Sequence, residues 1–165
     1  RGIIYVDTLS RALSELKPQS KTVFKKNAEI YKNKLLEIDE DFSLFLNTLK
    51  KNQKYLVSCE GAFTYLTNDY GLKEAYLWPV NAESQITPKR MAKVISLVKT
   101  NDIPAVFCES TVSSESQLAV ARETGAKFGG NFFVDSLSEK NGPASSYIDL
   151  LNHNLNLIKQ AYSTK

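Results

Sequence analysis

Phe24, Ala28, Tyr31, Leu35, Ile38, Phe42, Phe45 and Leu49 succeed one another at spacings of 4-3-4-3-4-3-4. That rhythm keeps them on one face of an α-helix, with Lys, Asn, Glu and Asp on the other. A stripe of this length needs a helix of about thirty residues, roughly 45 Å at the usual rise, longer than a small domain is wide. A coiled-coil arm is one way to use it; a strut joining two lobes is the other. The rest of the chain favours the strut, since a coiled coil needs a partner of similar length. From Tyr55 onward the chain alternates short apolar runs with helical patterns, the order expected of a parallel sheet with helices on its faces.

Ahead of the stripe, Ile3, Ile4, Val6, Leu9, Ala12, Leu13 and Leu16 mark a first helix that ends before Pro18. Beyond it, a strand over Tyr55–Ser58 leads to a helix over Ala62–Asp69 that stops at Gly71. A second strand, around Ala75–Trp78, ends at Pro79. Thr87-Pro88 opens a helix running to about Thr100, with Thr as its cap and Pro at its first position. Ile103–Cys108 reads as the third strand. Ser114 and Gln117 have the spacing of a capping box for a helix ending at Gly125. Ala126–Phe128 and Asn131–Val134 supply a last strand broken at Gly129-Gly130, and a final helix covers Tyr147–Tyr162. The expected fold class is α/β: a four-stranded parallel sheet flanked by helices, preceded by a long bridging helix.

Composition narrows the function classes. With 42% hydrophobic and 24% charged residues the chain has an ordinary globular composition. A net charge of +3 on scattered lysines does not make a nucleic-acid surface. No run of about 18 apolar residues is present, so no membrane span is expected. The chain opens at Arg1-Gly2 without Met and enters an apolar run at once, which reads as a processed or truncated piece. Cys59 and Cys108 stand in similar places, YLVSCE and AVFCES, each closing an apolar strand before a glutamate. On neighbouring parallel strands they would lie near disulfide distance, in keeping with an oxidising compartment; two free buried thiols are the alternative.

The strand ends deliver Glu60, then Pro79 with Asn81 and Glu83, then Glu109, and last Asp135. Ligands of open α/β sheets bind outside the carboxyl ends of the strands. No glycine-rich phosphate loop and no GxSxG elbow occurs, and the single histidine, His153, falls in the last helix as a surface residue. Carboxylates remain. Glu60 serves either as a ligand or as an acid at a helix start, and Asp135 either as a ligand or as a turn residue before Ser136-Leu137. Glu109 is expected to cap or hydrogen-bond the loop Ser110–Ser113. A Glu60/Asp135 acid–base pair, as in glycoside hydrolysis, is a third use, with only Trp78 as an aromatic platform.

SCEGAFTYLTNDYGL, IPAVFCESTV and FFVDSLS, in this order, resemble the carboxyl-terminal lobe of the metal-binding receptors of manganese and zinc ABC transporters, the cluster A-I or cluster 9 solute-binding proteins. KPQSKTVFKKNAEIYKNKLLEID resembles the segment in which that family's rigid helix bridges its lobes. The resemblance covers essentially the whole chain. It implies a division into 1–17, a short helix ending the amino-terminal lobe, 18–50, the inter-lobe helix, and 51–165, the carboxyl-terminal metal-binding lobe.

It also implies a non-enzymatic role: an extracytoplasmic or periplasmic receptor handing its ion to a membrane permease. The ion sits between the lobes on four side chains. Carried over by motif, Glu60 of SCEGAF and Asp135 of FVDS are two of these, and two histidines come from an amino-terminal lobe missing here. Carboxylate in place of imidazole at position 60 favours Mn²⁺ over Zn²⁺ as cargo. Cys59 and Cys108 would then clamp the strand that presents Glu60. No nucleic-acid partner is implied, and a lobe without its companion is expected to self-associate. A surface adhesion protein of the same family and a carboxylate-pair enzyme are the alternatives.

Overall fold

The computed structural model describes residues 1–50, 53–82 and 86–163, and Glu83 lies outside them. It divides into two compact units, residues 1–44 and 45–165.

The first unit is helical. Helix α1 (Gly2–Leu16) is followed by a 3-10 turn at Pro18–Ser20, and helix α2 (Lys21–Asn47) begins there. Lys32 of α2 reaches Asp7 of α1 at 2.9 Å and Glu29 at 2.8 Å. The long helix has 27 residues, about 40 Å of the length its stripe predicted. Every stripe residue from Phe24 to Leu49 is buried or half-buried, whereas Val23, Ile30, Leu36 and Leu44, off the stripe, are exposed. No residue of α1 is buried, and Ile4, Tyr5, Leu9 and Leu16 are exposed.

The second unit alternates strand and helix: β1 (Tyr55–Glu60), α3 (Thr64–Asp69), β2 (Lys73–Trp78), α4 (Pro88–Thr100), β3 (Ala105–Glu109), α5 (Glu115–Thr124), β4 (Lys127–Phe132) and α6 (Tyr147–Tyr162). The class is α/β with parallel strands flanked by helices. Among the described residues its hydrogen-bonded ladders are two, β1 with β2 and β3 with β4, each parallel. β1 and β3 lie against each other between the pairs, so the spatial order is β2-β1-β3-β4. At their carboxyl ends the Cα atoms of Cys59 and Cys108 are 4.7 Å apart, an ordinary strand spacing. Side chains take over from the ladder at that seam. The two cysteines are joined as a disulfide, and the backbone amide of Glu60 donates to the carboxylate of Glu109.

The central strands β1 and β3 are buried almost throughout because both of their faces are covered, whereas the outer strands β2 and β4 carry exposed residues. On one face Val57, Cys59, Val106 and Cys108 pack with Val94 and Val98 of α4 and Val120 and Ala121 of α5. On the other, Phe107 stacks on Phe132 at 4.6 Å and on Tyr162 of α6 at 6.3 Å. Tyr162 also donates its hydroxyl to the carbonyl of Tyr55 at 2.5 Å, and burial raises its phenol well above the ordinary range.

Capping residues set three of the helix ends. Thr87 accepts from the Arg90 amide, with Pro88 at the first helical position. Gly125 closes α5 in the left-handed region, and Ser146 caps α6 by accepting from the Asp149 amide. Two expectations are corrected. Ser114 begins α5 without a capping bond: its hydroxyl donates to Asn131 of β4, and Gln117 turns inward to donate to the Val57 carbonyl. Helix α3 starts at Thr64 rather than Ala62, where the Glu74 carboxylate of β2 accepts from the Phe63 amide and the Thr64 hydroxyl.

The Gly129-Gly130 pair bulges β4 rather than ending it. Val106 pairs with Phe128 and Cys108 with Asn131, so β4 carries one extra residue there. A Cβ at Gly129 would lie 2.2 Å from the Phe107 ring, which is fully buried. Gly129→Ala is therefore expected to destabilise the domain by about 1–3 kcal/mol through overpacking. Urea unfolding checks this; an unchanged midpoint would contradict the packing described.

Candidate metal centre

The chain passes from β1 outward to β2 and then returns to β3 on the other side of β1. The strand order reverses between β1 and β3, where open α/β sheets hold their ligands. Glu60 closes β1 and Glu109 closes β3, so two carboxylates flank that crevice.

Glu60 is half-buried and tied by its neighbours. Its side-chain Oε1 accepts from the backbone amide of Asn81, which adopts the left-handed conformation at φ 58°. Its amide donates to Glu109 Oε2 at 3.1 Å, and its carbonyl accepts from the buried Ser58 hydroxyl at 2.7 Å. The next amide, of Gly61, donates to the Trp78 carbonyl at 3.0 Å, which continues the register of β2. Among the described residues the other carboxylate oxygen of Glu60, Oε2, accepts no hydrogen bond.

Glu109 does not cap the Ser110–Ser113 loop as expected; it turns inward. Only 1% of it is exposed, and its Oε1 has no partner among the described residues. Burial pushes this carboxyl up from the ordinary 4.5 to about 7. The amides of Glu109 and Glu60 oppose that rise, and the charge of Glu60 adds to it.

Asp135 lies exposed in the bend after β4. Its surroundings are fixed from two sides. The Ser110 amide, just past Glu109, donates to the Phe132 carbonyl at 2.8 Å, and the Ser110 and Ser136 hydroxyls lie 3.4 Å apart. From α6, Asn154 accepts from the Phe133 amide at 2.9 Å and donates to the Phe133 carbonyl at 2.6 Å. Both Glu60 and Asp135 thus stand at the carboxyl edge of the strands, Asp135 on the loop beside the residue next after Glu109. His153 is half-buried on α6: its ring meets Phe133 at 5.3 Å and its Nε2 the Asn131 carbonyl at 3.2 Å.

Cys59, Cys108 and Glu109 are the one group of three ligand-type side chains that converges among the described residues. The two sulfurs are bonded to each other, so this group offers a single carboxyl and not a metal site. Glu60 and Asp135 are not part of that group; they share only their place at the carboxyl edge of the strands. Neither Asn154 nor the inward turn of Glu109 is expected from the sequence. Asn154 had a signal, since it lies four residues from both Leu150 and Ile158 on the buried face of α6. Glu109 had one in the parallel of its CE pair with that of Glu60.

The ZnuA family model, described as zinc-uptake complex component A, periplasmic, matches residues 1–161, and the chain belongs to that family. It is 41% identical over 161 residues to the iron-binding protein YfeA of Yersinia pestis, covering 98% of this chain and 52% of that protein. It is 29% identical to the manganese ABC transporter substrate-binding lipoprotein PsaA of Streptococcus mitis, covering 96% of this chain and 52% of that one. Among solved structures, the Mn-bound periplasmic metal binding protein of Candidatus Liberibacter asiaticus matches with TM-score 0.85 at 33% identity. That match covers 96% of this chain and 59% of the other. The chain spans about half the length of the curated relatives it matches.

The raised carboxyl of Glu109 gives stability a pH dependence. Its contribution is fully present below about 4.5 and is lost as pH rises through about 7, because the folded state binds its proton more tightly. The loss amounts to at most about 3 kcal/mol. Between pH 5 and 8 the melting temperature is expected to fall more steeply in the parent chain than in Glu109→Gln, as read by scanning calorimetry. Parallel profiles would contradict the burial of an ionisable carboxyl here.

Proposed function

We propose that this chain is the carboxyl-terminal lobe and bridging helix of an extracytoplasmic receptor. It captures a divalent transition-metal ion, Mn²⁺ by preference and Zn²⁺ as the alternative, and delivers it to the membrane permease of an ABC transporter. Glu60 and Asp135 are two of its four ligands. Two histidines complete the set from an amino-terminal lobe, within the part of the relatives' length that this chain does not match.

The observation that carries this reading is the placement of Glu60. It closes β1 beside the point where strand order reverses, with one oxygen held by the Asn81 amide and the other unengaged among the described residues. Membership of a solute-binding family makes the ion cargo rather than a catalytic cofactor. Two carboxylates and two neutral imidazoles cancel a divalent charge, and oxygen donors suit Mn²⁺ better than thiolates or an all-imidazole set. Fe²⁺ stands next to Mn²⁺ in the affinity series, so an iron-binding relative and a manganese one are compatible with the same donors. The Cys59–Cys108 disulfide suits an oxidising compartment outside the cytoplasm, in keeping with the family's periplasmic description.

Calorimetric titration of Mn²⁺ and Zn²⁺ tests this on two chains, residues 1–165 and a chain extended upstream to the relatives' full length. The extended chain is expected to bind tightly and the shorter one weakly. Glu60→Ala and Asp135→Ala in the extended chain should each cost at least about a hundredfold, since even residues that only orient a ligand cost 10–100-fold. Equal binding by both chains would place every ligand within these residues and sink the proposal, as would wild-type affinity in either variant.

A further inference from the structure

Glu109 is a carboxylate in the wrong place for a purely structural residue. It is 1% exposed, at the end of the most deeply buried strand, and one of its oxygens has no partner among the described residues. A buried polar group left unsatisfied is costly. A hydrophobic residue of similar size would remove that cost. The other oxygen accounts for its presence, because Oε2 accepts from the backbone amide of Glu60 at 3.1 Å.

We propose that Glu109 is a positioning residue for metal capture: by holding the Glu60 amide from β3, it sets the direction in which the Glu60 carboxylate leaves β1. The inference rests on the proposed role of Glu60 as a ligand. The geometry supports it from both ends of Glu60. Its side chain is held by the Asn81 amide on the β2 side and its backbone by Glu109 on the β3 side. The adjoining Cys59–Cys108 disulfide fixes the distance between the two strands, so the reach of the Glu109 side chain is matched to that gap. Partners that orient a ligand commonly govern affinity nearly as strongly as the ligands do.

Reach and charge are separable. Glu109→Gln keeps the length and an acceptor oxygen while removing the charge. Glu109→Asp keeps the charge and retracts the acceptor by one methylene. A positioning role therefore predicts that Gln is tolerated and Asp is not; an electrostatic role predicts the reverse.

The test is Mn²⁺ titration by calorimetry, with Mn²⁺ electron paramagnetic resonance of the loaded protein, in a chain extended to the relatives' full length. Metal-free melting confirms that each variant is folded. Glu109→Gln is expected to bind within about threefold of the parent with an unchanged spectrum. Glu109→Asp is expected to bind ten- to a hundredfold more weakly, with a spectrum altered by the displaced ligand. Parental affinity and spectrum in Glu109→Asp would overturn the proposal, and so would a folded Glu109→Gln that loses tenfold or more. Glu60→Ala is titrated alongside. If it keeps parental affinity, the ligand reading itself falls and takes this inference with it. If it loses affinity while Glu109→Asp does not, only the positioning role fails.

Discussion

The join between β1 and β3 ties together the two hydrogen-bonded strand pairs on which this domain is built. Each of those strands is hydrogen-bonded to a partner on its outer side, β2 or β4, and the two pairs meet at a seam where side chains act in place of backbone ladders. The Cys59–Cys108 bond crosses it between residues 49 apart in sequence, a loop closure that contributes roughly 2–4 kcal/mol by restricting the unfolded chain. The Glu109 carboxylate crosses it to the Glu60 amide, and Gln117 of α5 reaches the Val57 carbonyl. The apolar layers of α4 and α5 on one face, and the aromatic stack with α6 on the other, close over a seam already fastened at its carboxyl end.

That fastening coincides with the place where strand order reverses, which is why structure and site are hard to separate here. A ligand carboxylate placed on a mobile loop would have to be ordered by each ion it met. Glu60 instead ends a buried strand whose neighbours hold it through backbone groups and one carboxylate. Asp135 is on a loop, but that loop is gripped at Phe133 by both polar ends of Asn154. The buried, half-satisfied Glu109 is the sort of local rule-breaking that folded proteins concentrate near function rather than in the core.

The order of elements was legible in the sequence because it rests on local chemistry. The stripe from Phe24 to Leu49 fixes a helix and its buried face, Thr87-Pro88 and Gly125 mark helix ends, and the apolar runs at Tyr55 and Ile103 mark the two central strands, covered on both faces. Glu60 and Asp135 were named as candidate ligands from motifs alone. What escaped depends on partners distant in the chain. Ser114 and Gln117 have capping-box spacing, yet Asn131 and the Val57 carbonyl compete for them. Gly129-Gly130 looks like a strand break, and only the Phe107 ring packed against it turns the pair into a bulge. Glu109 looks like a loop acid until β1 stands beside β3.

Everything proposed for this lobe turns on an ion held by Glu60 and Asp135 at its carboxyl edge. The most direct test is anomalous diffraction at the manganese edge from crystals of the extended chain grown with Mn²⁺. The expected result is one strong anomalous peak within about 2.3 Å of a carboxylate oxygen of each residue, typical of first-row metal–oxygen bonds. A peak bonded to neither carboxylate, or one seated wholly on other residues, would contradict it.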